Sequence, residues 1–126
     1  MVTALMVSPG QHPSIAQLCD NNEFLDMAVS IDADGDSIYS TRTMALDPGI
    51  AILHAWEGAS LSLPSNRRIK KRIITGVFYI VGVEKGKLRS LTDSEITKYM
   101  ARFWEPELYT DDEIIDSWFD GLFCAL

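Results

Sequence analysis

Residues 73–83, IITGVFYIVGV, form the longest apolar stretch of the chain and limit most tightly what it can fold into. Val77, Phe78, Tyr79, Ile80, Val81 and Val83 leave no polar face, and their β-branched and aromatic character favours a strand. A strand that is apolar on both faces must be covered on both, which places it centrally in its sheet. The stretch predicts one central strand near 73–83, punctuated by Gly76 and Gly82.

The remaining elements arrange themselves around that strand. Residues 3–7 read as an edge or near-edge strand ending in the turn Ser8-Pro9-Gly10. The opening MVTALMVSPG has no basic residue ahead of its short apolar run, so a first strand is expected there rather than an export signal. A second short strand is expected over 13–18. Asp20 or Asn21 can cap a helix near 21–30, with Phe24, Leu25, Ala28 and Val29 as its stripe. Residues 37–46 and 50–56 resemble a hairpin joined at Asp47-Pro48-Gly49. A short strand over 60–63 is closed by Pro64, which cannot donate to a ladder.

Two helices carry clear start signals. Thr92 with Glu95 makes a capping box, and Ile96, Tyr99, Met100 and Phe103 follow at helical spacing, which predicts a helix near 93–104. Thr110 with Glu113 makes another, with acids in the first turn where the helix dipole favours them. It opens a helix near 111–124 whose apolar face holds Ile114, Ile115, Trp118, Phe119, Leu122 and Phe123. The expected class is α+β, with a mixed or mainly antiparallel sheet. The domain spans 1–107, and 108–126 form an acidic helical extension packed on it or on a partner.

Charge sharpens that division. The chain carries 18 Asp and Glu against 11 Lys and Arg, a net −7. Residues 1–104 hold equal numbers of each sign, so the whole imbalance lies in 105–126. Arg67, Arg68, Lys70, Lys71 and Arg72 crowd nearly half of the basic residues into one short run. Such asymmetry bears on partners more than on fold.

The layout resembles a known family. The residues that carry the resemblance are the Pro-Gly after the first strand and Leu63-Pro64-Ser65-Asn66-Arg67. With them go Ile74-Thr75-Gly76-Val77-Phe78-Tyr79-Ile80-Val81-Gly82, then Leu91-Thr92-Asp93, Tyr99, Phe103 and Pro106-Glu107. In this order over about 3–107 they resemble the bacterial proteins catalogued as domain of unknown function 3846, common on phages, plasmids and other mobile elements. The resemblance implies an origin and a layout but no reaction. The family usually has a polar linker and an Asp where Lys70-Lys71-Arg72 stand here, and 108–126 lie beyond its usual end.

The sharpest polar candidate is Asn66-Arg67. A guanidinium offers a planar fork to carboxylate or phosphate, and an Asn amide can donate and accept beside it. The bland alternative is that Asn66 satisfies a turn and Arg67 pairs with a local acid. With Arg68, Lys70, Lys71 and Arg72 these residues form the candidate ligand or partner site. The run could meet nucleic-acid phosphates, but it is one short loop without interleaved aromatics in an acidic protein. Pairing with the acidic tail, of the same or a second copy, is an equal alternative. Ile115, Trp118, Phe119 and Leu122 mark a candidate interaction helix, because an apolar stripe of that size must be covered by something.

Other motifs lead less far. Asp32-Ala33-Asp34-Gly35-Asp36 evokes a calcium loop, yet the Gly stands fourth rather than sixth and Thr43 replaces the bidentate Glu. His12 and His54 have no carboxylate or Cys at metal-ligand spacing. Cys19 and Cys124 are far apart, as free thiols of a cytoplasmic protein would be. No apolar run reaches the ~18 residues that cross a bilayer. No nucleophile, phosphate-loop or dinucleotide motif is present, so no cofactor or metal is expected and nothing recommends an enzyme. The expected role is a non-catalytic accessory protein that binds protein or itself. A ligand- or nucleic-acid-binding module is the second reading, and a small enzyme the third.

Overall fold

The computed structural model describes residues 1–18, 41–55 and 64–123. Strand β1 (Val2–Val7) ends in a turn where Pro9 precedes Gly10 at φ +73°, and the Gln11 N–H returns to the Ser8 carbonyl at 3.2 Å. Strand β2 (Ser14–Leu18) then pairs back on β1. Strands β3 (Thr41–Asp47) and β4 (Ile50–Ala55) form the expected hairpin, turned by Pro48 and by Gly49 at φ +77°. Strands β5 (Ser65–Ile69), β6 (Arg72–Thr75), β7 (Phe78–Glu84) and β8 (Lys87–Arg89) follow, then helices α1 (Asp93–Arg102) and α2 (Asp111–Phe123).

The sheet order is β2-β1-β7-β4-β3, antiparallel throughout. β7 lies at its centre. On one side it pairs with β4; on the other it pairs first with β1 and then, from Gly82 onward, with β8. The β8 backbone comes so close that a Cβ on Gly82 would stand 2.9 Å from the Arg89 carbonyl oxygen and 2.7 Å from its Cγ. Only glycine fits there without a shift. The weight of the fold is on antiparallel β structure, with two helices among the described residues, a β-rich version of the α+β class.

Both faces of β7 are buried. Phe78 and Ile80 join Leu5, Val7, Ile52, Tyr99 and Phe103 in one core, while Tyr79 and Val81 join Val2, Ala4, Leu18 and Leu53 in another. Each such side chain contributes about 1.5–3 kcal/mol of burial, and the two-sided pattern explains why the segment has no polar position to spare.

One expectation is corrected. Residues 73–83 are not a single strand. Gly76 takes φ +74°, its N–H bonds to the Pro64 carbonyl at 2.9 Å, and the chain turns between β6 and β7. β6 pairs with β5 in a separate two-stranded sheet, so the basic run is a hairpin rather than a loop. Lys70 enters its two-residue turn at φ +56°. Ile69 and Ile74 of this hairpin pack into the core that contains Phe78. The helix near 21–30, the acidic turn at 32–36, the strand at 60–63, Cys19 and Cys124 lie outside the described residues.

Candidate functional site

β5 determines what becomes of the candidate residues. Its register shifts between Ser65 and Arg67, a bulge that leaves Asn66 as the extra residue and turns it inward. Asn66 and Arg67 are both fully buried. The Asn66 amide donates to the Val7 and Gly76 carbonyls, each at 2.8 Å, and its Oδ1 accepts from Arg67 Nη1 at 2.8 Å.

Arg67 uses its whole fork. Nε and Nη2 donate to the Phe103 carbonyl at 3.1 and 2.9 Å, Nη2 also donates to the Gln11 carbonyl at 2.6 Å, and Nη1 reaches the Asn66 carbonyl at 3.3 Å. Five N–H groups therefore meet oxygens of three separate segments. Phe103 is the C-cap of α1, where helix carbonyls are short of donors and a cation is favoured. Burial lowers the Arg67 pKa from its ordinary value, with Glu107 and Tyr109 acting against it. A guanidinium stays charged regardless. The pair thus holds the 8–11 turn, the end of α1 and β5 together, and leaves no donor directed outward.

The other basic residues face solvent. Arg68, Lys70, Lys71 and Arg72 are exposed around the β5–β6 turn. Lys70 Nζ donates to the Ala45 carbonyl at 2.9 Å, which ties the turn to the end of β3. Close by, Asp47 accepts the Tyr99 hydroxyl at 2.5 Å and has Lys98 and Arg102 at 3.7 and 3.8 Å. That phenol bond, more than the cations, lowers the Asp47 pKa. Burial and the same bond push Tyr99 up to about 12. Two cations of α1 thus gather around the Asp47 carboxylate, and Lys70 meets the same strand end at Ala45.

The segment after α1 crosses the hairpin. Glu107 accepts the Arg68 backbone N–H at 2.9 Å and also the Tyr109 hydroxyl. The Arg68 guanidinium lies 5.2 Å from the Tyr109 ring centroid, and the Tyr109 N–H donates to Ser65 Oγ at 3.1 Å. Thr110 and Glu113 form the expected capping box, with bonds of 3.0 and 3.2 Å. α2 then packs on β6, with Ile114 buried and Ser117 Oγ accepting the Ile73 N–H at 3.0 Å. Of the candidate interaction helix, Ile115 is 46 % exposed; the side chains of Trp118, Phe119 and Leu122 lie outside those described. Trp104, 44 % exposed, and Leu108, 92 % exposed, also face outward on this segment. His12 stacks on Trp104 with centroids 3.9 Å apart and places Nδ1 2.5 Å from its carbonyl. His54 is buried in β4.

A family model described as "Domain of unknown function (DUF3846)" matches residues 2–104. The chain belongs to that family. No curated protein and no solved structure matches it. The DUF3846 region contains everything from β1 to the end of α1, including Asn66, Arg67 and the Arg67 acceptors at Gln11 and Phe103. Glu107, Tyr109 and α2, which meet the hairpin, lie past it. Among the described residues no group of three or more His, Cys, Asp and Glu side chains is placed to hold a metal, and no helix is long and apolar enough to cross a membrane.

Two contributions were hidden in the sequence. The Gln11 and Phe103 carbonyls act through the backbone, so residue type gives no sign of them. The burial of Arg67 did leave a trace: on a strand it shares a face with Ile69, two positions on.

Proposed function

We propose that this DUF3846 protein is a non-catalytic accessory protein that works by binding another protein, in the setting of a bacterial phage or other mobile element. The setting rests on the resemblance of layout described above. The binding role rests on one observation: the polar pair best suited to ligand chemistry has its donors taken by the chain's own oxygens. In this reading Asn66 and Arg67 position the surface, while Arg68, Lys70, Lys71 and Arg72 make the contact. Cations exposed around one turn favour an acidic partner segment by electrostatic complementarity.

The test is affinity capture from a bacterial lysate with full-length protein, quantified against Lys70→Glu/Lys71→Glu and Arg68→Glu variants of unchanged melting temperature. A protein enriched by the wild type and lost with either variant supports the reading. Enrichment of nothing beyond bare resin sinks it.

A second reading has its own observation. Lys70, Lys98 and Arg102 converge near the end of β3, so the hairpin's positive charge continues onto α1. That arrangement could hold a nucleic-acid backbone. Retention on generic DNA that weakens steeply with salt would favour it, and no retention at low salt removes it.

A further inference from the structure

The β5–β6 hairpin is a two-stranded sheet, and such a sheet has two open edges. Ile69 and Arg72 close its turn, so the next pair, Arg68 and Ile73, directs its backbone N–H groups outward, one to each edge. Neither is left open. Glu107 accepts from Arg68 and Ser117 from Ile73, so both edges are covered by side chains of one segment lying past the family region. That segment is acidic, the hairpin is basic, and their contacts extend the match: the Arg68 guanidinium over Tyr109, and a smaller pull of the same cation on Glu113 beside its Thr110 cap. Its one described apolar anchor is Ile114, while Leu108 stands almost wholly in solvent. A cover that meets the sheet edges through the side-chain acceptors Glu107 and Ser117 can open without unfolding the sheet beneath.

We propose that the β5–β6 hairpin is a docking surface for an acidic segment of another protein, and that residues 105–117 of this chain occupy it in cis until such a segment displaces them. The fitting segment carries a Glu two residues before an aromatic, as Glu107 and Tyr109 do, and continues as an acidic helix. The Glu takes the edge N–H, the aromatic takes the guanidinium, and the helix takes the β6 side, a helix-and-edge form of peptide recognition. This deepens the protein-binding reading above and rests on it.

The experiment uses the full-length chain and a release variant, Ile114→Asp/Ser117→Val, which puts a carboxylate at the buried anchor and removes the β6 acceptor. The probe is a fluorescein-labelled peptide of residues 104–123, titrated by anisotropy at low salt. The release variant is expected to bind the peptide about tenfold or more tightly than wild type, the ratio equivalent to ~1.4 kcal/mol of tail docking, and Arg68→Glu added to it abolishes binding. Equal binding by wild type and release variant overturns the proposal, as does binding indifferent to Arg68→Glu. Dimerisation of the release variant in light scattering makes a second copy the occupant and also overturns it. Should the release variant not fold, hydrogen exchange on wild type decides. The Arg68 and Ile73 amides are expected to exchange together with those of α2 and before Leu5 and Ile80; exchange only alongside Leu5 and Ile80 overturns the displaceable cover. A lysate partner captured by wild type without peptide binding to the release variant defeats this proposal and leaves the protein-binding reading standing.

Discussion

Arg67 and Arg68 stand side by side in β5, and the fold treats them as opposites. Arg67 is fully buried and meets only oxygens of its own chain, four of them supplied by Asn66, Gln11 and Phe103. Arg68 is exposed, and its guanidinium lies over Tyr109. Among the described residues the inner arginine has no carboxylate within hydrogen-bonding distance; backbone carbonyls and one amide hold it. The outer one sits among acids of the tail. A planar fork can join segments from inside, where a desolvated ion must have every donor met. At the rim the same group interacts weakly and can change partners. Structure and recognition are therefore divided between adjacent residues, and the division can be tested.

The largest effect is expected at Arg67. Arg67→Met keeps the volume but orphans the Phe103 and Gln11 carbonyls, and should lower unfolding stability by about 3–5 kcal/mol in denaturant titration. Arg67→Lys should lose nearly as much, because three donors on a point charge cannot reproduce the fork. A loss under 1 kcal/mol for Met would mean that the junction is held by the surrounding apolar contacts. Asn66 comes next. Asn66→Asp removes the two donors to Val7 and Gly76 and is expected to cost about 2–3 kcal/mol. A neutral result would show that the bulge does not depend on that amide.

These residues also show how far a sequence can be read. The centrality of β7 was legible because apolar residues on successive positions admit no exposed face. Both capping boxes were legible because the spacing of Thr and Glu is itself the mechanism. The division of 73–83 was not. Gly76 reads as punctuation within one strand, because the Pro64 carbonyl that completes its turn is distant in sequence. Arg67 was misleading for a related reason: it lies in a run of cations, which reads as solvated. Its burial depends on carbonyls whose positions are set by the 8–11 turn and by the C-cap of α1. Side-chain chemistry is written in the sequence. Backbone acceptors brought by tertiary structure are not.

Arg89 provides an intermediate case between the two arginines. Its Nη1 and Nη2 meet the two oxygens of Glu95 at 2.8 and 3.0 Å, and the pair is partly exposed, at 29 % and 23 % of the side chains. Arg89, with the Thr92 N–H, holds Glu95 down to about 2 from an ordinary 4.5. A carboxylate with a depressed folded pKa stabilises above its unfolded pKa, and that contribution fades as pH falls. Stability attributable to Glu95 should therefore be complete above about pH 5 and disappear between pH 4.5 and 2. Solvent screening keeps the loss to about 1 kcal/mol, well below the full linkage value. Glu95→Gln should flatten that part of the acid limb. An unchanged acid limb would place the pair with Arg68 rather than midway.

Arg68 is expected to show the smallest effect, and it bears most directly on the division of roles. Its side chain contributes one exposed cation–π contact, worth about 0.5 kcal/mol at the low end for exposed sites, and its backbone bond to Glu107 survives any side-chain change. Arg68→Met should thus alter stability by no more than about 0.5 kcal/mol. Combined with Tyr109→Leu in a double-mutant cycle, it should give a coupling of similar size, since the two side chains touch and share Glu107 as a neighbour. Arg67→Met in the same cycle should show far less coupling to Tyr109 than its own large loss would suggest, because its acceptors lie on other segments. If Arg68 instead proved as destabilising as Arg67, the tail would be a permanent part of the fold and the hairpin would offer no surface to a partner. A small stability change at Arg68 combined with loss of captured protein would put recognition on the outer arginine and architecture on the inner one.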